Sequence, residues 1–145
     1  EVVDEAIDAF DLGDRQFQRL DERAGGERQR AFIASVLAQS TDYVLLDEPL
    51  NNLDLQQAHR TTRQIRRLAD DFDKTVVIVL HDVNIAAHHA DRLVAMRNGQ
   101  VALDGSPHEV INPDGLRALY DLDLPVTQHD GRPVALHFLR HDSPE

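Results

Sequence analysis

Two short apolar runs constrain this chain most: "YVLLD" at 43–47 and "TVVIVL" at 75–80. Each is shorter than an ordinary helix, and the second is dominated by β-branched residues, so both read as strands. The second run is continuously apolar, as expected of a strand covered on both faces. Between them Leu55, Ala58, Thr62, Ile65, Ala69 and Phe72 step by three and four residues. That spacing predicts an amphipathic helix, with Arg60, Arg63, Arg66 and Arg67 mostly off its buried stripe. A strand, a crossover helix and a second strand make parallel pairing the natural arrangement.

The flanking sequence extends the alternation. Val3, Ile7 and Phe10 predict a short helix over 3–12 that ends near Gly13, and residues 14–25 are polar and irregular. A helix is expected over 27–39, with Phe32, Ile33, Val36 and Leu37 forming a wide apolar face. Another follows from Asn84 to Ala90. "RLVAM" and "QVALD" flank Asn98-Gly99, a strong hairpin signal. Short helices are expected near 107–111 and 114–120, then a last hairpin around Asp130-Gly131. The fold class is therefore α/β with a largely parallel sheet, in which chemistry gathers at the carboxyl ends of the strands. Here those ends carry Asp47 and Glu48, then His81 and Asp82.

Composition narrows the function classes. A chain of 145 residues with 41% hydrophobic content supports one domain with a modest core. The net charge of −11 disfavours nucleic acid, because phosphate contacts need Lys and Arg, and the only lysine is Lys74. The absence of cysteine excludes disulfides and thiol chemistry. No apolar run is long enough to span a bilayer. The chain opens on "EVVDEAIDAF", without Met and already in a helical pattern, which leads us to expect a fragment.

Four motifs bear on chemistry, and each has a plain structural alternative. Asp47 and Glu48 end a buried strand. As neighbours in an extended chain they should point to opposite sides and take different jobs, one at a metal such as Mg²⁺, the other on a nucleophile. Equally, the strand could be leaving the core into a polar loop. His81 could orient a phosphate or a water near neutral pH, or be a hydrogen-bonded, partly buried histidine. Gly25 and Gly26 open a helix, where exposed N–H groups and the helix dipole favour an anion and glycine admits close approach. A flexible loop before a helix explains them as well. Asp54 suits the N-cap of the arginine-bearing helix. His88 and His89 are adjacent, should diverge on a helix, and lack a supporting ligand cluster.

Order and spacing join these motifs. "RAGGERQRAFIASVLAQSTDYVLLDEPLNNLD" followed by "TVVIVLHDVNIAAHHADRLVAMRNGQVALDGSPHEV" resembles the ATP-binding-cassette (ABC) ATPases over about 17–120. The resemblance implies that Asp47 ends the Walker B strand and helps hold Mg²⁺. It makes Glu48 the catalytic base or water-orienting carboxylate. It places Asp54 in the D-loop at a dimer interface and His81 as the switch histidine near the γ-phosphate. Ala24, Gly25, Gly26 and Glu27 would line the signature loop and face ATP bound by a second ATPase subunit, with Glu27 where the family usually has Gln.

The histidine segment and the "LRALYDLDLPV" tail look like importer subunits for iron–siderophore, haem or cobalamin uptake. They imply membrane permease partners, no nucleic acid, and a cytoplasmic place on the inner face of the cell membrane. Segments 1–40, 41–120 and 121–145 would then be a helical signature portion, the Walker B to switch-histidine part of the core, and a hairpin with its tail. "DEPLNNLD" is also close to a motif of ribosome-acting family members, whose histidine segment reads differently.

Two departures from the pattern stand out. No G-x-x-x-x-G-K-[ST] occurs in the 145 residues, so the loop that cradles the β- and γ-phosphates is missing, as is the glutamine loop expected after it. The fold expected is thus a partial P-loop NTPase sheet with a helical subdomain and without the Walker A region. In the family the Walker A strand lies between the switch-histidine strand and "RLVAM", so both flanking strands should lack a neighbour, and the isolated chain should be poorly stable or need a partner segment; alone it should show no ATPase activity. The second departure is Arg23-Ala24, where the family has Leu-Ser. Ala24 cannot donate the serine hydroxyl bond to the γ-phosphate, a loss of about 1.5–3 kcal/mol for a hydrogen bond to a charged group. These departures also admit a non-catalytic, truncated or degenerate interaction module.

Overall fold

A computed structural model describes residues 2–15, 17 and 25–138, with the side chains of residues 15, 25–27 and 29 left aside. The chain divides into two compact units, Glu1–Val79 and Leu80–Glu145.

In the first unit, α1 (Val2–Ala9) and a 3₁₀ turn (Gly13–Arg15) precede α2 (Gly25–Ala38), β1 (Tyr43–Asp47), α3 (Leu55–Asp70) and β2 (Thr75–Val79). The first helix stops short of the expected Gly13, because Asp11 takes a positive φ of 56° that ends the helical path. β1 and β2 pair in parallel, with Tyr43 opposite Thr75, Leu45 opposite Val77 and Asp47 opposite Val79. One face of this pair, Val44, Leu46, Val76 and Ile78, joins Ala6, Phe10, Ile33, Leu37, Ile65 and Leu68 in a single core. Arg67 ties α3 to the end of α1: its Nη1 donates to the Ala9 carbonyl at 3.0 Å, and its guanidinium lies 5.5 Å over the Phe10 ring.

The expectation that the second strand is covered on both faces does not hold. Leu45 is 76% exposed and Val77 52%. The opposite face packs on helices; the Tyr43–Leu45 and Val77–Val79 face has no such cover among the described residues. Period-2 alternation operates here although four of the five positions are apolar. Two helix-face expectations are also corrected. Phe32 and Leu55 are exposed, while Ala34 of α2 and Thr61 and Leu68 of α3 are buried instead. The buried stripes are rotated from those that the apolar spacing suggested. Thr62 reaches the core by donating its hydroxyl to the Ala58 carbonyl at 2.7 Å.

The second unit contains α4 (Val83–His89), β3 (Leu93–Arg97), β4 (Gln100–Gly105), α5 (Pro107–Val110), α6 (Pro113–Tyr120), β5 (Val126–His129) and β6 (Arg132–Ala135). β3–β4 and β5–β6 are antiparallel hairpins. Their turns use positive φ at both central positions, Asn98-Gly99 at 52° and 74° and Asp130-Gly131 at 48° and 71°. That combination matches strand twist and favours Asn, Asp and Gly. Arg92 grips Asp104 at two points, 2.8 and 2.7 Å. Ala87, Val110, Ile111, Leu116 and Ala135 form the core. Gly115 is required by packing, since a Cβ there would lie 2.2 Å from the Val110 carbonyl oxygen.

Among the described residues, β2 pairs only with β1 and β3 only with β4, in agreement with strands that lack one neighbour. No helix among them is long and apolar enough to cross a membrane.

Candidate functional site

The carboxyl end of β1 is built from a strand, two tight turns and a helix start. Asp47 is the last strand residue, exposed and paired with Val79. Its position follows from parity: with Val44 and Leu46 buried, residues 43, 45 and 47 lie on the other face. The expectation drawn from strand alternation stops at Asp47, where the strand ends. Glu48 has φ 47°, in the left-handed region, so the chain leaves the strand at this residue and strand parity no longer applies. Such a backbone costs roughly 1–2 kcal/mol for a residue with a Cβ.

Local hydrogen bonds hold Glu48 there. The Asn51 N–H donates to the Glu48 carbonyl at 3.1 Å, and the Asn51 side-chain amide donates to Glu48 Oε2. Asn52 is again left-handed, at φ 60°, and Leu53 N–H reaches the Leu50 carbonyl at 3.3 Å. The chain then enters α3 at Asp54. The Asp54 carboxylate accepts from the Gln57 N–H at 2.8 Å and from Gln57 Nε2 at 3.0 Å, the N-cap geometry expected of it. Asp47, Glu48 and Asp54 thus share one hydrogen-bonded loop. Beside it lies a surface groove of about 270 Å³ lined by Phe32, Leu45, Leu46, Asp47 and Pro49.

α2 begins at Gly25, so Gly25, Gly26 and Glu27 occupy its first turn, where backbone N–H groups are unpaired within the helix. Ala24 and Arg23 lie outside the described residues. His81 belongs to the second unit, exposed, two residues beyond β2 rather than on it. The following Asp82 caps α4, its Oδ1 accepting from the N–H groups of Asn84 at 2.8 Å and Ile85 at 3.0 Å. His88 and His89 do not diverge; their rings meet edge-on, with centroids 4.9 Å apart. Among the described residues no group of three His, Asp or Glu side chains could hold a metal ion. A lone exposed carboxylate such as Asp47 suits a Mg²⁺ ion that takes most of its ligands from phosphate and water, and does not suit an all-protein cage.

The residue that sequence reasoning missed is Asn51. Its type at a turn was the available signal, since Asn favours tight turns and reaches nearby backbone.

No protein-family model matches the chain. Curated relatives do. The chain is 40% identical over 136 residues to the petrobactin import ATP-binding protein YclP of Bacillus subtilis, covering 94% of this chain and 54% of that protein. It is 38% identical over 125 residues to the cobalamin import ATP-binding protein BtuD of Halobacterium salinarum, covering 86% of this chain and 31% of the relative. With the hemin import ATP-binding protein HmuV of Pseudomonas aeruginosa it shares 39% identity over 140 residues, 91% of this chain and 53% of the relative. Among solved structures, an inward-facing metal-chelate-type ABC transporter superposes with a TM-score of 0.79 at 25% identity, over 94% of this chain and 56% of that one. The chain spans about half the length of the first of these relatives.

Proposed function

The chain belongs to the ABC ATPases and spans about half the length of such a subunit, and on that premise we propose that it serves in the ATP-binding and ATP-hydrolysing subunit of an importer of iron–siderophore type. The observation that carries this reading is the Asp47–Asp54 loop. A strand-end carboxylate is followed directly by a second one, which Asn51 holds in a left-handed turn.

In this proposal Asp47 holds Mg²⁺, and Glu48 orients the attacking water or takes its proton. His81 stands near the γ-phosphate. Gly25 and Gly26 present backbone N–H groups to ATP bound by a second ATPase subunit, with Ala24 and Glu27 beside them, and Asp54 lies at the interface between the two. Bound Mg²⁺ supplies charge neutralisation at the phosphates. The chain's own contribution is positioning: Asn51 restricts the Glu48 carboxylate before substrate arrives. A membrane permease would be the other partner, which places the subunit at the inner face of the cell membrane. Segments 1–40, 41–120 and 121–145 are proposed as its signature, catalytic and tail portions. The iron–siderophore assignment is supported by the petrobactin importers among the relatives.

Glu48→Gln in the encoding gene tests this reading. Growth with a ferric siderophore as the sole iron source should be lost, in keeping with a roughly 10²–10⁴-fold contribution from a general base. Unchanged growth and uptake would contradict the proposal.

A further inference from the structure

The last hairpin reaches back to the helix that follows His81, and it does so with a side chain that imitates a strand. Asn84 Nδ2 donates to the Ala135 carbonyl at 3.0 Å, and the Ala135 N–H donates to Asn84 Oδ1 at 2.7 Å. This two-point amide pairing is partly buried and spans 51 residues of sequence. At the other end of α4, Arg132 Nη1 donates to the Ala90 carbonyl at 3.0 Å, and Ala90 is the C-cap residue of that helix. Strand β6 therefore holds α4 at both ends. Between the two ties, Ala87 and Ala135 are fully buried in the same core cluster as Val110.

We propose that Asn84 is a positioning residue, through which the β5–β6 hairpin sets the location of His81. α4 has seven residues, too few to hold a helix in water by itself, so its place depends on what it packs against. Apolar contact at Ala87 resists separation and leaves sliding and rotation open, because it has no direction. Paired amide bonds have direction and fix both. The link from hairpin to histidine is short. Ala135 holds Asn84. The Asn84 N–H is held by the Asp82 carboxylate, and the Ala86 N–H donates to the Asp82 carbonyl at 3.0 Å. His81 is the residue directly before Asp82. Displacing β6 therefore moves the start of α4 and the histidine with it. The functional meaning rests on the reading of His81 as a γ-phosphate-facing residue; the mechanical claim does not.

The test uses the isotope-labelled full-length product of the encoding gene, without nucleotide, and compares Asn84→Ala, Asn84→Asp and, as a control in the other hairpin, Gly99→Ala. Two signals are read by NMR: hydrogen exchange of the Ala135 amide, and the His81 ring resonances with the residual dipolar coupling of its amide. Asn84→Ala should speed Ala135 exchange at least tenfold and displace the His81 signals. Asn84→Asp keeps the acceptor and loses the donor, so it should fall between wild type and Ala. Gly99→Ala should move neither signal. Should Asn84→Ala unfold the unit, Asn84→Asp, which keeps the acceptor and loses only the donor, carries the same comparison. The proposal is overturned if Ala135 loses protection while His81 stays at its wild-type values, or if Ala135 keeps its protection without Asn84. No nucleotide is involved, so failure here and failure of the ATPase reading are separate results.

Discussion

The parallel pair β1–β2 and the hairpin β3–β4 are both two strands wide, and they are held in opposite ways. The hairpin carries its instructions locally: Asn98-Gly99 turns the chain with the required twist, and Arg92 closes on Asp104 across the strands. The parallel pair has no local turn. Its register rests on Val44, Leu46, Val76 and Ile78 packing against helices, and its other face exposes Leu45 and Val77. The candidate carboxylates sit at the end of the strand that depends on distant packing. The second unit, with its histidine, is tied by turn chemistry and by the two contacts of β6 to α4. Asp47 thus ends a strand whose register is set by distant packing, while the loop that follows, with Glu48, is held by local hydrogen bonds.

The largest effect should come from emptying the first core. Leu68 is fully buried, so Leu68→Ala should cost about 2–5 kcal/mol. Hydrogen exchange should show the loss at the amides of β1 and β2, with those of β3 and β4 unchanged. Equal loss in both would show that the two units unfold as one. Gly115→Ala makes the reciprocal test. Its Cβ would meet the Val110 carbonyl, and overpacking of this kind costs about 1–3 kcal/mol, here confined to the second unit.

The N-cap comes next. Asp54→Ala should lower stability by about 1 kcal/mol through loss of the bond to the Gln57 N–H, measured by urea denaturation. No change would mean that the cap does not secure the loop.

The smallest effect is acid sensitivity. Hydrogen bonds from Arg66 to Asp70, from Arg92 to Asp104 and from Ser106 to Glu109 hold these carboxyls below their ordinary values. Groups lowered on folding contribute stability that is present above the unfolded carboxylate value of about 4 and lost as pH falls through the lower folded values. All three are exposed, so the slope should be shallow and weakened by salt. Asp70 lies in the first unit and Asp104 and Glu109 in the second, so thermal melts from pH 5 downward should show a small drop in each.

The elements that sequence made legible are those with local causes. Both hairpins, the short helices near 107 and 114, and the Asp54 cap follow from turn and capping chemistry that acts over a few residues. What stayed hidden depends on neighbours far along the chain. The apolar letters of "TVVIVL" do not reveal that one face lacks cover. Phe32 belongs to an apolar pattern and is nevertheless 51% exposed. At the site, the residue types at 47, 48 and 54 were readable. The left-handed turn at Glu48 was not, because a strand-end carboxylate gives no sign of its φ or of its hydrogen bonds from Asn51. The Asn84–Ala135 pairing, across 51 residues, has no local signal at all.

The proposal that matters most gives Glu48 the role of water-orienting carboxylate, although the 145 residues contain no G-x-x-x-x-G-K-[ST] loop to hold the phosphates it would act on. ATP turnover by the purified 145-residue chain with Mg²⁺ tests it most directly. No hydrolysis above background is expected. Measurable turnover that Glu48→Gln abolishes would contradict it, because the chain would then hold the phosphates by itself.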